Sequence, residues 1–114
     1  MPAIGFAAPI LPGKTETDRA NIRSVSPGGE RHADFVESRH RAGITREATW
    51  IQPTPMGDLA VVLIESDDPE AAMKTLATSA DPFDRWFRDG VQEVHGIDLA
   101  AGFPPPDQVL DFRA

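Results

Sequence analysis

The sequence predicts a single α+β domain of βαββαβ order. Three observations carry the prediction: an apolar N-terminal run closed by proline and glycine, a central pair of strand-like segments around a short turn, and two Asp-Pro helix starts. The 114 residues lie near the size of one domain and leave no room for a second core, so residues 1–114 are read as one unit.

Residues Ala3 to Leu11 are almost all apolar, too few for a free-standing helix, and stopped by Pro12 and Gly13; they read as a buried strand. From Lys14 to Val25 sparse apolar positions (Ala20, Ile22, Val25) predict a weakly amphipathic helix. Ser26 before Pro27 resembles a cap with proline at the first helical position, and a further helix is expected to run from there to about Ala42, with Gly43 as its left-handed terminator. Gly28 and Gly29 oppose the start of that helix.

Ile44 to Gln52 is rich in Thr, Ile and Trp, and Leu59 to Glu65 is β-branched and leucine-rich, so the two predict a hairpin around Pro53–Asp58. Asp68-Pro69 and Asp81-Pro82 each place a capping carboxylate before a proline at the first helical position. The helix after Asp81 carries Phe83, Trp86, Phe87, Val91 and Val94 on one face and ends at Gly96. After Pro104-Pro105-Pro106, Val109 to Phe112 is expected to be a fourth, edge strand. The result is a ferredoxin-like, four-stranded antiparallel sheet with helices on one face. The second face is expected to be apolar as well, since Val61 and Leu63 alternate with Val62 and Ile64, and a second copy packed sheet to sheet would cover it. A homodimer of this kind encloses a space suited to a small ligand.

Composition removes several function classes. With 11 Lys and Arg against 18 Asp and Glu, a net charge of −7 and a pI near 4.8, the chain lacks the basic footprint that nucleic acid or an anionic membrane rewards. No cysteine is present, which excludes disulfides, thiolate chemistry and iron–sulfur clusters. The apolar start, Met1 to Leu11, lacks the basic flank of a signal peptide, and no apolar run reaches the roughly 20 residues of a membrane span. A cytoplasmic location is the expectation. Phosphate loops, a serine elbow, a dinucleotide fingerprint and metal-binding histidine spacings are all missing, so no cofactor and no metal are expected.

The segments Arg46–Gln52, Thr54–Asp58, Ile64-Glu65 with Asp67-Asp68-Pro69, and Asp81–Phe87 with His95–Asp98 resemble a family of small uncharacterised bacterial proteins of the dimeric α+β barrel superfamily, over residues 38–112. The resemblance implies a fold and a dimer. Relatives in that superfamily include cofactor-independent monooxygenases, isomerases, cyclases and haem-handling enzymes, so it implies no single reaction.

Candidate chemistry comes from individual residues. A hairpin turn centred on Met56 puts Glu47 opposite Glu65, and two carboxylates so close share a proton and suit acid–base work; the competing reading is neutralisation by Arg39, Arg41 or Arg46. His95 closes the aromatic helix, where it can move protons or simply complement the helix dipole. Glu47, His95 and Glu65 are therefore the candidate catalytic groups. Trp50, Arg46 and His40 are the candidate ligand contacts: Trp50 shares a strand face with Ile44, Arg46, Ala48 and Gln52, and His40 lies in an arginine-rich last turn, where a surface role competes. Trp86 and His32 are expected to be core and surface residues respectively. The function these features support is binding of a small apolar or aromatic metabolite, with cofactor-independent isomerase, cyclase or monooxygenase chemistry; the alternative is a non-catalytic ligand-binding or interaction module.

Overall fold

A computed structural model describes residues 2–102 and 104–114; Met1, which begins the apolar N-terminal stretch, and Phe103 lie outside the described residues. The chain runs β1 (Ala3–Pro9), α1 (Thr15–Val25), α2 (His32–Arg41), β2 (Ile44–Thr54), β3 (Gly57–Ser66), α3 (Pro69–Thr78) and α4 (Pro82–His95), followed by a single 3₁₀ turn at Leu99–Ala101. The α+β class stands. The strands form one antiparallel sheet in the order β1-β3-β2.

The expected fourth strand is corrected. Val109 to Phe112 belongs to no strand, and Val109, Leu110 and Phe112 stay 89%, 78% and 79% exposed. Apolar composition favours a strand but does not supply a partner, and the three prolines before it have no N–H to start a ladder. The sheet is therefore three-stranded among the described residues, not the expected four-stranded ferredoxin-like sheet.

Both Asp-Pro starts cap as their chemistry requires. Asp68 Oδ1 accepts from the Ala71 amide at 3.1 Å, and Asp81 Oδ2 from the Phe83 amide at 3.0 Å. Gly43 and Gly96 close α2 and α4 with φ of 74° and 69°, the left-handed geometry that glycine adopts freely. Ser26 caps nothing at an N-terminus; it ends α1, donating through Oγ to the Ile22 carbonyl at 2.7 Å, and the chain turns through Gly28 at φ 86° before α2 begins at His32. A Cβ at Gly29 would collide with the Ser24 carbonyl, so this turn is too tight for a helix start at Pro27.

The even-numbered residues of β3 face the helices. Ala60 and Ile64 are 2% exposed, and each anchors its own buried cluster: Ile64 with Ala42, Ile44, Ala72 and Leu76, and Ala60 with Ile10 and Val94. Val62, between them, is only partly buried. The core is thus divided along β3, and a cavity occupies the interval. The odd-numbered residues Leu59, Val61 and Leu63 face away, flanked by Ala3, Gly5, Ala7 and Pro9 of β1 and by Ala48, Trp50 and Gln52 of β2. Trp50 there is 51% exposed.

Gly90 sits inside α4 against the cavity, where a Cβ would meet Asn21 Nδ2 at an ordinary 3.5 Å. Gly90→Ala is expected to stabilise the chain by about 0.5–1 kcal/mol, because alanine loses less backbone entropy in a helix. Chemical denaturation of the two proteins measures it, and an unchanged or lower midpoint contradicts it.

Candidate functional site

The cavity between the sheet and its own helices has a volume of about 400 Å³, within the range of small-molecule sites. Its floor is the helix-facing side of the sheet, Phe6, Ala8, Ala60, Val62 and Ile64, with the exposed Thr49 of the edge strand at its rim. Its roof is aromatic and aliphatic: Phe35 from α2, Met73 and Leu76 from α3, and Trp86, Phe87 and Val91 from α4. Aromatic packing holds that roof, with Phe83 5.6 Å from Trp86 and edge-on to Phe35 at 6.4 Å. Trp86, expected as core, does face inward, but onto this space. The ligand space expected from sequence lies between two sheets of a dimer; this cavity belongs to one chain.

Two polar constellations reach the cavity. The first joins α2 to β2. Arg39 donates to Glu47 through Nε at 2.9 Å and Nη2 at 3.3 Å, and its guanidinium lies over the rings of Phe35 and Phe87, 4.4 and 4.3 Å from their centroids. The Arg39 side chain is buried and that of Glu47 partly so, 6% and 14% exposed. Arg39 Nη1 also donates to Ser38 Oγ at 3.0 Å, and Ser38 in turn donates to Asp84 Oδ1 at 2.5 Å. Arg41 reaches Asp84 at 3.2 Å and Asp81 at 3.1 Å, so a continuous polar chain runs from β2 through α2 to the start of α4. Burial pushes the Asp84 carboxyl up, but hydrogen bonds from Ser38, Ser79 and Arg41 outweigh it and hold Asp84 below the ordinary carboxylate range.

The second constellation joins α1 to α4. His95 Nδ1–H donates to the Pro9 carbonyl at 2.9 Å; a carbonyl can only accept, so Nδ1 carries a proton. The other nitrogen, Nε2, then faces Asp18 Oδ1 at 3.9 Å, too long for a direct hydrogen bond. Both side chains are about nine-tenths buried, at 11% and 10% exposure. Asp18 Oδ2 is buried with no hydrogen-bond partner among the described residues. Burial pushes the Asp18 carboxyl above its ordinary range, against the opposing pull of His95 and Arg19.

Of the six candidate site residues, Glu47 and His95 line the cavity. Glu65 does not. The hairpin turn is the two-residue Pro55-Met56, closing Thr54 against Gly57, one half-step from a turn centred on Met56; Glu47 therefore lies opposite Ile64, and Glu65 opposite Arg46. The expected Glu47–Glu65 carboxylate pair is corrected on this ground, since a single step of register sends a side chain through the sheet. Glu65 instead meets Arg46 at 3.6 Å on the outward face. A bulge between Ile44 and Arg46 separates Ile44, buried under the helices, from Arg46, Ala48 and Trp50 on the outward face. His40 is exposed in the last turn of α2, and His32 Nδ1–H donates to the Val25 carbonyl at 2.8 Å.

Asp18 was not singled out by sequence. A lone aspartate in the first turn of a mostly polar helix reads as solvated. The signal that finds it is spacing: Asp18, Ile22 and Val25 stand at i, i+4 and i+7, so the carboxylate shares the apolar face of α1.

Among the described residues no group of three His, Asp or Glu side chains is placed to hold a metal ion, and no helix is long and apolar enough to cross a membrane. Comparison with protein-family models, with curated proteins and with solved structures finds no match.

Proposed function

We propose that the chain binds a small apolar or aromatic metabolite in the cavity between its sheet and helices and acts on it without a cofactor, as an isomerase or cyclase. The observation that carries this reading is an apolar, aromatic-roofed cavity with a few convergent ionisable groups at its walls, the arrangement typical of small-molecule sites. The isomerase and cyclase readings rank above the monooxygenase because the polar groups present are proton carriers. A non-catalytic binding module is the second reading, favoured by the Arg39–Glu47 pair, whose charges already satisfy each other.

A fluorescent aromatic probe, 1-anilinonaphthalene-8-sulfonate, tests the location. Thr49 is exposed on the edge strand at the cavity rim, so Thr49→Trp narrows the mouth without entering the core. One probe per chain is expected in the wild type, with affinity at least about tenfold weaker in the variant. Undiminished binding by the variant puts the probe elsewhere and overturns the reading.

We infer further that the chain pairs with a second copy through its outward sheet face. Among the described residues that face is lined largely by apolar side chains, Leu59, Val61, Leu63, Ala48 and Trp50, and its charged residues Arg46 and Glu65 are paired with each other. In a chain of net charge −7, a face whose charges cancel lets two copies approach with little repulsion. Sedimentation at micromolar concentration is expected to give twice the 12.4 kDa chain mass, and Leu63→Arg, at the centre of the face, to give the single mass. A wild-type monomer contradicts the pairing.

A further inference from the structure

We propose that Asp18 is the proton-transfer base of the cavity, with His95 as the neighbouring group that tunes its carboxyl, and that the site takes a flat aromatic or enolisable molecule with an acidic hydrogen directed at α1. The inference rests on the cavity being the ligand site and adds the group that does chemistry there. Glu47 fits that role less well, because both its oxygens already accept from Arg39. Asp18 keeps one oxygen, Oδ2, buried at the cavity wall and unmatched by any donor among the described residues, and its other oxygen faces an imidazole whose Nδ1 is anchored to the Pro9 carbonyl. A buried, unmatched acceptor is costly to a fold, and such costs concentrate where a ligand supplies the missing donor.

The step balances without an oxidant or reductant. A ligand C–H bond breaks, an O–H bond forms on Asp18, and the electron pair moves into the ligand as an enolate or a comparable delocalised anion. Returning the same proton to another ligand atom completes an isomerisation and restores Asp18. The apolar walls raise the basicity of the carboxylate, consistent with its upward shift by burial. The charges facing Asp18 are His95 from α4 and Arg19 from its own helix. Across the cavity, Arg39 of α2 and Glu47 of β2 offset one another, and the His32 ring of α2 is tied to the Val25 carbonyl.

The test uses 5-nitrobenzisoxazole, a flat aromatic carbon acid: a base removes its one ring C–H proton, the electron pair forms a nitrile as the N–O bond breaks, and a coloured phenolate leaves. Wild-type protein is expected to bind the probe, read by quenching of Trp86 fluorescence in a Trp50→Phe background, and to accelerate its opening. Asp18→Asn is expected to bind it equally and to lose about 10²-fold or more of the acceleration. His95→Gln is expected to move the midpoint of the pH–rate profile upward, since His95 holds the Asp18 carboxyl down. Binding without acceleration by the wild type, or full acceleration by Asp18→Asn, overturns the assignment while leaving the cavity reading intact. Failure of the wild type to bind the probe overturns both.

Discussion

Glu47→Ala is expected to lower the free energy of unfolding by about 3–5 kcal/mol, the cost of leaving one member of a buried ion pair without its counter-charge. Arg39 is 5% exposed and its guanidinium packs over the rings of both Phe35 and Phe87, which leaves it little access to water. Removing Glu47 strips two charge-assisted hydrogen bonds at once and strands the cation against aromatic rings. Glu47→Gln keeps one acceptor and should recover part of the loss. The double replacement Arg39→Met with Glu47→Leu fills the same space without charge and is expected to return to within about 1–2 kcal/mol of the wild type, since exchanging a whole buried pair for apolar groups is often close to neutral. Denaturant unfolding of the four proteins measures all of this. If Glu47→Ala costs less than about 1 kcal/mol, the pair is solvated and carries little of the fold.

The same residue shows how far sequence could reach. Glu47 was legible as important, and Arg39 as one of three arginines able to neutralise it, but its partner across the hairpin depended on a half-step in the turn. Pro53–Asp58 offers several closures of similar local chemistry, and only the fit of Thr54 against Gly57 selects the one that turns Glu47 toward Ile64. The helix starts at Asp68 and Asp81 needed no such choice, because a carboxylate before proline satisfies its own helix within three residues. Local chemistry is readable locally. The tail from Val109 to Phe112 fails for the opposite reason: a strand is a statement about a neighbour, and the sequence holds no record of one. Asp18 lies between these cases, since its spacing with Ile22 and Val25 was visible while the sheet that buries it was not.

Asp84→Ala is the second large effect, expected to cost about 2–3 kcal/mol near neutral pH. Asp84 is 4% exposed and accepts from the fully buried Ser38 hydroxyl, which would lose its only acceptor among the contacts described above, while Arg41 would lose one of its two carboxylates. The pH dependence has a definite sign. Because its hydrogen bonds hold Asp84 below the ordinary carboxylate value in the folded chain, its contribution is complete above about pH 4 and disappears as pH falls through the depressed folded value. The gap between wild type and Asp84→Ala should therefore shrink on acidification. Asp18 works in the reverse sense: its folded value is raised, so its ionisation burdens the fold at neutral pH and that burden vanishes as pH falls to the ordinary carboxylate range. Thermal unfolding of wild type, Asp84→Ala and Asp18→Asn across the acid range separates the two, and a gap for Asp84→Ala that stays constant with pH would exclude a charge-based role for it. Because Ser38 and Arg39 connect Asp84 to Glu47, the Glu47→Ala and Asp84→Ala losses should not add: the double variant is expected to lose less than their sum by about 0.5–3 kcal/mol, the signature of residues sharing one network.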